Sequence, residues 1–241
     1  MTKQRLLIMY AAFTLMILVN ALANILPLNG YTTGEVSNEY DVFFTPAGFT
    51  FSIWSVIYLS LLYWLIRFTL KKEEGNTSLF FLFLLTCLFN ITWIVVWHYL
   101  LDGLSLVVIL LHFVSIYVLY RAQKTANPNW TYTFPISLYL GWIIVASLTN
   151  MQYWLVASIE VSDSLQWTIA YTAIFLVLLS GIYFLKIEKD KVVPLVFLWS
   201  LFGVAAKNFS DHPLFAGVVL STIVLLFAVW FRHLIKAIKK E

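Results

Sequence analysis

Residues 78–100 read SLFFLFLLTCLFNITWIVVWHYL, an unbroken apolar run with no Asp, Glu, Lys or Arg. A helix needs about 20 mostly apolar residues to cross a hydrocarbon core about 30 Å thick, and this run is long enough. A lone strand cannot span lipid, because its backbone N–H and C=O groups would find no partners there. Barrel strands would be about 10 residues long and would alternate strictly between apolar and polar, which this segment does not. Working outward, the same character returns in residues 6–26, 47–70, 104–120, 134–157, 167–185, 192–206 and 214–235. The chain therefore reads as an all-α integral membrane protein, a polytopic bundle of about eight transmembrane helices.

Composition points the same way. Of 241 residues, 61% are hydrophobic and 11% charged, against about 45–50% and about 25% in a soluble domain. That excludes a soluble globular enzyme and a disordered chain. The formal net charge is only +3, and the basic residues sit in short loops, so no nucleic-acid partner is expected. A single cysteine, Cys87, allows neither an internal disulfide nor a thiolate cluster. It lies mid-helix and reads as a small apolar packer.

Charge then sets the orientation, because Lys and Arg collect on the cytoplasmic side of a membrane. With the N-terminus inside, the inner segments hold Lys3, Arg5, Arg67, Lys71, Lys72, Arg121, Lys124, Lys186, Lys189, Lys191, Arg232, Lys236, Lys239 and Lys240. That is all but one of the 15 basic residues. The outer segments hold Lys207 alone, together with Glu35, Glu39, Asp41, Asp102, Glu160, Asp163 and Asp211. Both termini are expected to be cytoplasmic, and the short loops suit a bacterial inner (plasma) membrane. The first span has a rival reading. Lys3, Arg5, an apolar run and Ala21-Leu22-Ala23 together imitate a cleavable signal peptide. The run continues to Leu26, which fits a retained helix better.

Orientation gives depth. Asn20 and Asn24 fall in the outer half of the first span, and Thr50, Phe51, Ser52 and Trp54 in the outer half of the second. Asn90, Trp93 and Trp97 share one face of the third by their spacing of three and four, as do Trp142, Ala146, Thr149 and Asn150 on the fifth. Amide side chains in a membrane want partners and rarely face lipid, so Asn20, Asn90 and Asn150 are expected to point inward, with Trp93 and Trp142 beside them. One reading is an aromatic-walled pocket under the outer loop of residues 27–46. The other is interhelical bonding plus an interfacial aromatic belt. Trp130, Trp167 and Trp230 lie near span ends and suit the belt; Trp54, Trp93 and Trp142 lie deeper.

These residues resemble a known family. Thr45-Pro46-Ala47-Gly48-Phe49-Thr50-Phe51-Ser52-Ile53-Trp54-Ser55-Val56-Ile57-Tyr58 resembles the motif T-P-P-x-W-x-F-x-x-x-W-x-x-L-Y of the tryptophan-rich sensory protein / translocator protein (TspO/MBR) family. Asn90-Ile91-Thr92-Trp93 resembles its N-x-x-W. Tyr139-Leu140-Gly141-Trp142, followed by Ala146, Asn150 and Trp154, resembles Y-x-x-W…A…L-N-x-x-x-W. The departures are a first motif one residue short, Ala47 for its second proline, Phe49 for its first tryptophan and Leu138 for the proline before Tyr139. The resemblance covers about residues 1–156. It implies a five-helix TspO-like bundle over residues 1–157, extended by three C-terminal helices over residues 158–241.

The resemblance further implies a membrane-embedded ligand-binding or sensory protein. Its ligand would be porphyrin-like, haem included, or another flat lipophilic molecule, bound in the outer half of the bundle. Pro46, Phe51, Trp54, Tyr58, Asn90, Trp93, Tyr139, Trp142 and Asn150 are the candidate pocket residues that carry over. Expected partners are the lipid bilayer and that small molecule, with a homodimer left open. No catalytic residue or metal site is assigned, and the enzyme question leans to no. A transporter of a small lipophilic solute is the alternative. No Asp or Glu lies mid-span in any helix, which weighs against proton-coupled transport. His112, near the middle of the fourth span, invites a haem axial-ligand reading; a neutral, hydrogen-bonded histidine is the plainer one. Lys207 at a span end reads as an amine reaching the interface.

The topology is directly testable. In a Cys87→Ala background, a cysteine at Lys189 should react with an impermeant maleimide only from the cytoplasmic side, and one at Asp163 only from the outside. The reverse labelling would invert the charge-derived orientation.

Overall fold

The computed structural model describes residues 2–71 and 76–238. Lys72, Lys239 and Lys240, placed at the inner end by charge, lie outside these residues. Nine helices form among them. They are α1 (Lys3–Ile25), the short α2 (Thr33–Ser37), α3 (Ile53–Lys71), α4 (Thr77–His98), α5 (Asp102–Ala126), α6 (Trp130–Ala157), α7 (Asp163–Lys186), α8 (Val192–Asn208) and α9 (Pro213–Ile238). A 3-10 turn, Gly48–Ser52, leads into α3. No strand occurs among the described residues, only an isolated bridge between Leu28 and Tyr31.

All eight expected spans are helices. Seven are long and apolar enough to cross a membrane. The eighth, α8, has 17 residues and is about 25 Å long at 1.5 Å per residue. Local chemistry sets the boundaries. Thr2, Asn76, Asn129 and Ser162 accept backbone N–H bonds at the starts of α1, α4, α6 and α7. These side chains satisfy donors that a helix start otherwise leaves unpaired. Pro194 and Pro213 fall in the first turns of α8 and α9, where a missing N–H removes no helix bond.

Hydrogen bonds sort the helix ends into two groups. At one end Arg5 donates to Thr77, Arg67 to Thr131, Ser137 to Asp190 and Trp230 to the Lys191 carbonyl. At the other, Asn29 donates to the His98 carbonyl, Ser158 to Asp102 and Asn208 to the Phe43 carbonyl. Successive long helices thus alternate in direction, as eight crossings require. The first group lies at the end that charge assigns to the cytoplasm.

The axis of the bundle is α6, with 72% of its apolar window buried, whereas α1 and α9 each bury 28% of theirs and form the periphery. One buried apolar cluster runs without a break from Met9 and Met16 of α1 through Leu140 of α6 to Val196 of α8 and Leu226 of α9. A close approach joins α6 to α8. A Cβ on Gly141 would lie 2.9 Å from the Val196 Cβ, so only glycine lets the two backbones pack at this distance.

At the inner end, the turn between α7 and α8 is clamped to α5. Arg121 and Lys124 donate to the Glu188 carboxylate at 2.5 and 2.8 Å, and Tyr183 donates to it at 2.9 Å. Burial pushes the Glu188 carboxyl up. The hydrogen bonds from Lys124 and Tyr183 and the charges of Lys124 and Arg121 outweigh that and hold it below its ordinary value. Such a carboxylate stabilises the fold above its unfolded pKa, about 4.3, and loses this as pH falls through its lower folded pKa. Glu188→Gln should therefore cost on the order of 1–2 kcal/mol at pH 7, read as a lower thermal midpoint in detergent. The gap between parent and variant should begin to shrink as pH falls below about 4.3 and close only below the lower folded pKa; an undiminished gap at pH 3 would contradict the clamp.

Candidate ligand-binding site

Two adjoining spaces lie in the outer half of the first five spans. The inner one is a small chamber of about 30 Å³, walled by Trp54, Trp93, Trp97, Trp142, Phe51 and Pro46, with Thr149 and Asn150 among its polar lining. The outer one is a groove of about 550 Å³ between α1 and α3, lined by Asn20, Asn24, Thr33, Phe51, Trp54 and Tyr58 among others. Phe51 and Trp54 line both and form the wall between them.

The aromatic walls are ordered. Trp93 and Trp97, one helical turn apart on α4, stack with centroids 5.6 Å apart. Trp54 stacks on Tyr58 at 5.5 Å and meets Trp142 edge to face at 6.1 Å. Phe51 meets Trp142 in the same way at 5.7 Å. Such ring pairs add to simple area burial and give the chamber its aromatic walls.

Below the chamber is a buried amide hub. Asn20 of α1 donates to the Asn90 side-chain oxygen at 2.7 Å, and Asn90 of α4 donates to the Tyr139 hydroxyl of α6 at 2.9 Å. Asn20 also bonds back to the Met16 carbonyl at 2.9 Å. Three helices are thereby tied in register by side chains that have no water to turn to. Higher up, Ser105 of α5 donates to the Asn150 side-chain oxygen at 3.1 Å.

The chamber lining gathers several unpaired polar atoms. The Trp93 and Trp142 indole nitrogens, the Asn150 amide nitrogen and the Thr149 hydroxyl are all buried without a hydrogen-bond partner. Buried polar groups are nearly always paired, and leaving one unpaired costs about 1–3 kcal/mol. Three of these four groups are pure donors. Together they ask for an acceptor, and no Lys, Arg, Asp or Glu lines the chamber.

The residues expected from sequence converge here. Pro46, Phe51, Trp54, Trp93, Trp142 and Asn150 line the chamber, Tyr58 lines the groove, and Asn90 and Tyr139 form the hub beneath. Ser37 in the chamber and Thr33 in the groove were not expected. They sit on α2, a single short turn within a polar loop, and nothing in their spacing points to the site. His112 is buried 5.2 Å from the Tyr139 ring with both ring nitrogens unpaired. It lines neither space, so a haem-ligand role gains no support from geometry. No group of three metal-ligating side chains occurs among the described residues.

A model of the TSPO-like protein family matches residues 6–232. The chain belongs to the TSPO-like family. The match ends inside α9, so α7, α8 and most of α9 lie within the matched region. No curated protein and no solved structure matches the chain. Membership and the apolar helices make this TSPO-like chain an integral membrane protein, and the family points to a ligand-binding or sensory role in the membrane.

The hub makes a stability prediction. Asn90→Leu removes the acceptor of Asn20 and the donor to Tyr139, leaving only their contacts to Met16, and should cost about 1–3 kcal/mol. A thermal midpoint within 1 °C of the parent in the same detergent would show that the two amides and the phenol are not acting as a tie.

Proposed function

We propose that this TSPO-like chain binds a flat lipophilic molecule of the porphyrin kind, with its body in the α1–α3 groove and a hydrogen-bond acceptor on its edge reaching the chamber donors. The observation that carries this reading is the set of three unpaired buried donors behind an aromatic wall. The volumes support two roles. Ligand cavities run from about 300 to 1,000 Å³, so the groove is large enough for a drug-sized ring system. The chamber, at about 30 Å³, takes only a water or two, or one small polar group.

The electrostatics narrow the ligand. A carboxylate buried among neutral groups is strongly penalised without a positive partner, and the chamber lining supplies none. An ester, ketone or amide carbonyl takes the same donors without that penalty. Binding is thus by stacking on Trp54 and Tyr58, by fit against Ile17 and Ala21 of α1, and by N–H bonds from Trp93, Trp142 and Asn150.

The test is quenching of tryptophan fluorescence in purified protein, in the dark, by protoporphyrin IX and by its dimethyl ester. The ester should saturate at low micromolar concentration and bind several-fold tighter than the diacid. Trp93→Phe with Trp142→Phe removes two donors at about 1 kcal/mol each, so affinity should fall about 10- to 30-fold. Linear, unsaturable quenching with both compounds would defeat the binding reading and leave lipophile transport, to be measured as flux in proteoliposomes.

A further inference from the structure

The outer loop enters the site through residues 42–50, and this segment is fastened to α6, α7 and, above all, α8. The Phe44 and Phe43 N–H groups donate to the Gln152 and Gln166 side chains, both at 3.2 Å. From α8, Asn208 donates to the Phe43 carbonyl at 2.9 Å and Lys207 to the Val42 carbonyl at 3.2 Å. The Ala47 N–H donates to the Gly203 carbonyl at 3.0 Å, and the Trp199 indole donates to the Thr50 carbonyl at 3.0 Å. Phe43 also stacks on Trp167 of α7 at 3.8 Å. Val42, Phe43, Phe44, Thr45 and Pro46 are all buried.

Gly203 is the closest point. A Cβ there would lie 2.1 Å from the Thr50 Oγ1 and 3.0 Å from the Pro46 Cβ. The loop therefore lies directly on the α8 backbone at this turn. Immediately beyond Thr50 come Phe51 and Trp54, the wall shared by chamber and groove.

We infer that α8 is a positioning element of the ligand site: Trp199, Gly203 and Asn208 hold residues 42–50 down so that Pro46, Phe51 and Trp54 are already in place before ligand arrives. This rests on the ligand-binding reading above. It gives α8 a role in binding although none of its residues lines the chamber or the groove. A pre-set loop pays its ordering entropy during folding rather than on binding. Releasing it should therefore shorten the residence of the ligand more than it slows association, since affinity changes within one site fall mostly on dissociation.

The experiment uses the full chain in nanodiscs, with stopped-flow quenching by protoporphyrin IX dimethyl ester and hydrogen exchange of residues 42–50. Trp199→Phe keeps a smaller aromatic ring beside Phe49 and removes the donor; Asn208→Ala removes the second strap. Each should raise exchange in the loop and speed dissociation, together about tenfold, with association within about twofold. Gly203→Ala should act likewise, and adding Thr50→Ala, which removes the colliding oxygen, should recover much of the loss. Rescue by that pair is an outcome that general destabilisation does not produce. Increased loop exchange with unchanged dissociation would overturn the inference, as would unchanged exchange. Saturable binding in the parent with unaltered variants removes the strap alone, whereas no saturable binding in the parent removes both readings.

Discussion

In hydrocarbon a polar group has only the protein to bond to, and this constraint organises the molecule. Backbone groups meet it by forming helices. Side-chain amides meet it by finding each other, and the Asn20–Asn90–Tyr139 chain is the result. Because each member of that chain comes from a different helix, satisfying it fixes the rotation of α1, α4 and α6 together. Rotation in turn decides which tryptophans face inward. Trp93 lies three residues beyond Asn90 and Trp142 three beyond Tyr139, so the hub that sets the amide face also aims both indoles at one space.

Against that background the unpaired donors of the chamber stand out. The same bundle satisfies Asn20 and Asn90 completely enough to tie three helices, yet leaves two indole N–H groups and the Asn150 amide without acceptors a few residues away. Donors that the protein itself leaves unpaired are open to an acceptor from outside it, a water included. Rigid ring contacts among Phe51, Trp54 and Trp142 keep the space from collapsing onto them. Stability and binding thus draw on the same chemistry at different depths: paired amides below, unpaired donors above.

The C-terminal helices join this scheme through their backbone and their ends. Gly141 and Gly203 let α8 approach α6 and the outer loop closely. At the inner end Glu188, held by Arg121, Lys124 and Tyr183, anchors the turn from which α8 starts. The short helix α8 is therefore fixed at both ends to elements of the first five spans, and the buried cluster between them is continuous.

Much of this was legible in the chain itself. Apolar runs determined the helices and their number, because only a helix of that length and composition closes its own hydrogen bonds in lipid. Segregation of Lys and Arg determined the alternation of ends. The spacing of Asn90 with Trp93, and of Trp142 with Asn150, put the polar and aromatic residues on common faces. What the chain could not show is how far apart those faces stand. Whether the space between them is a cavity for a ring system, or a chamber for a water or two beside a larger groove, depends on packing distances that no periodicity encodes. The docking of residues 42–50 on α8 was equally invisible. It joins Ala47 to Gly203 and Trp199 to Thr50, contacts about 150 residues apart, and it works through a missing side chain, which in the sequence is one glycine among nine.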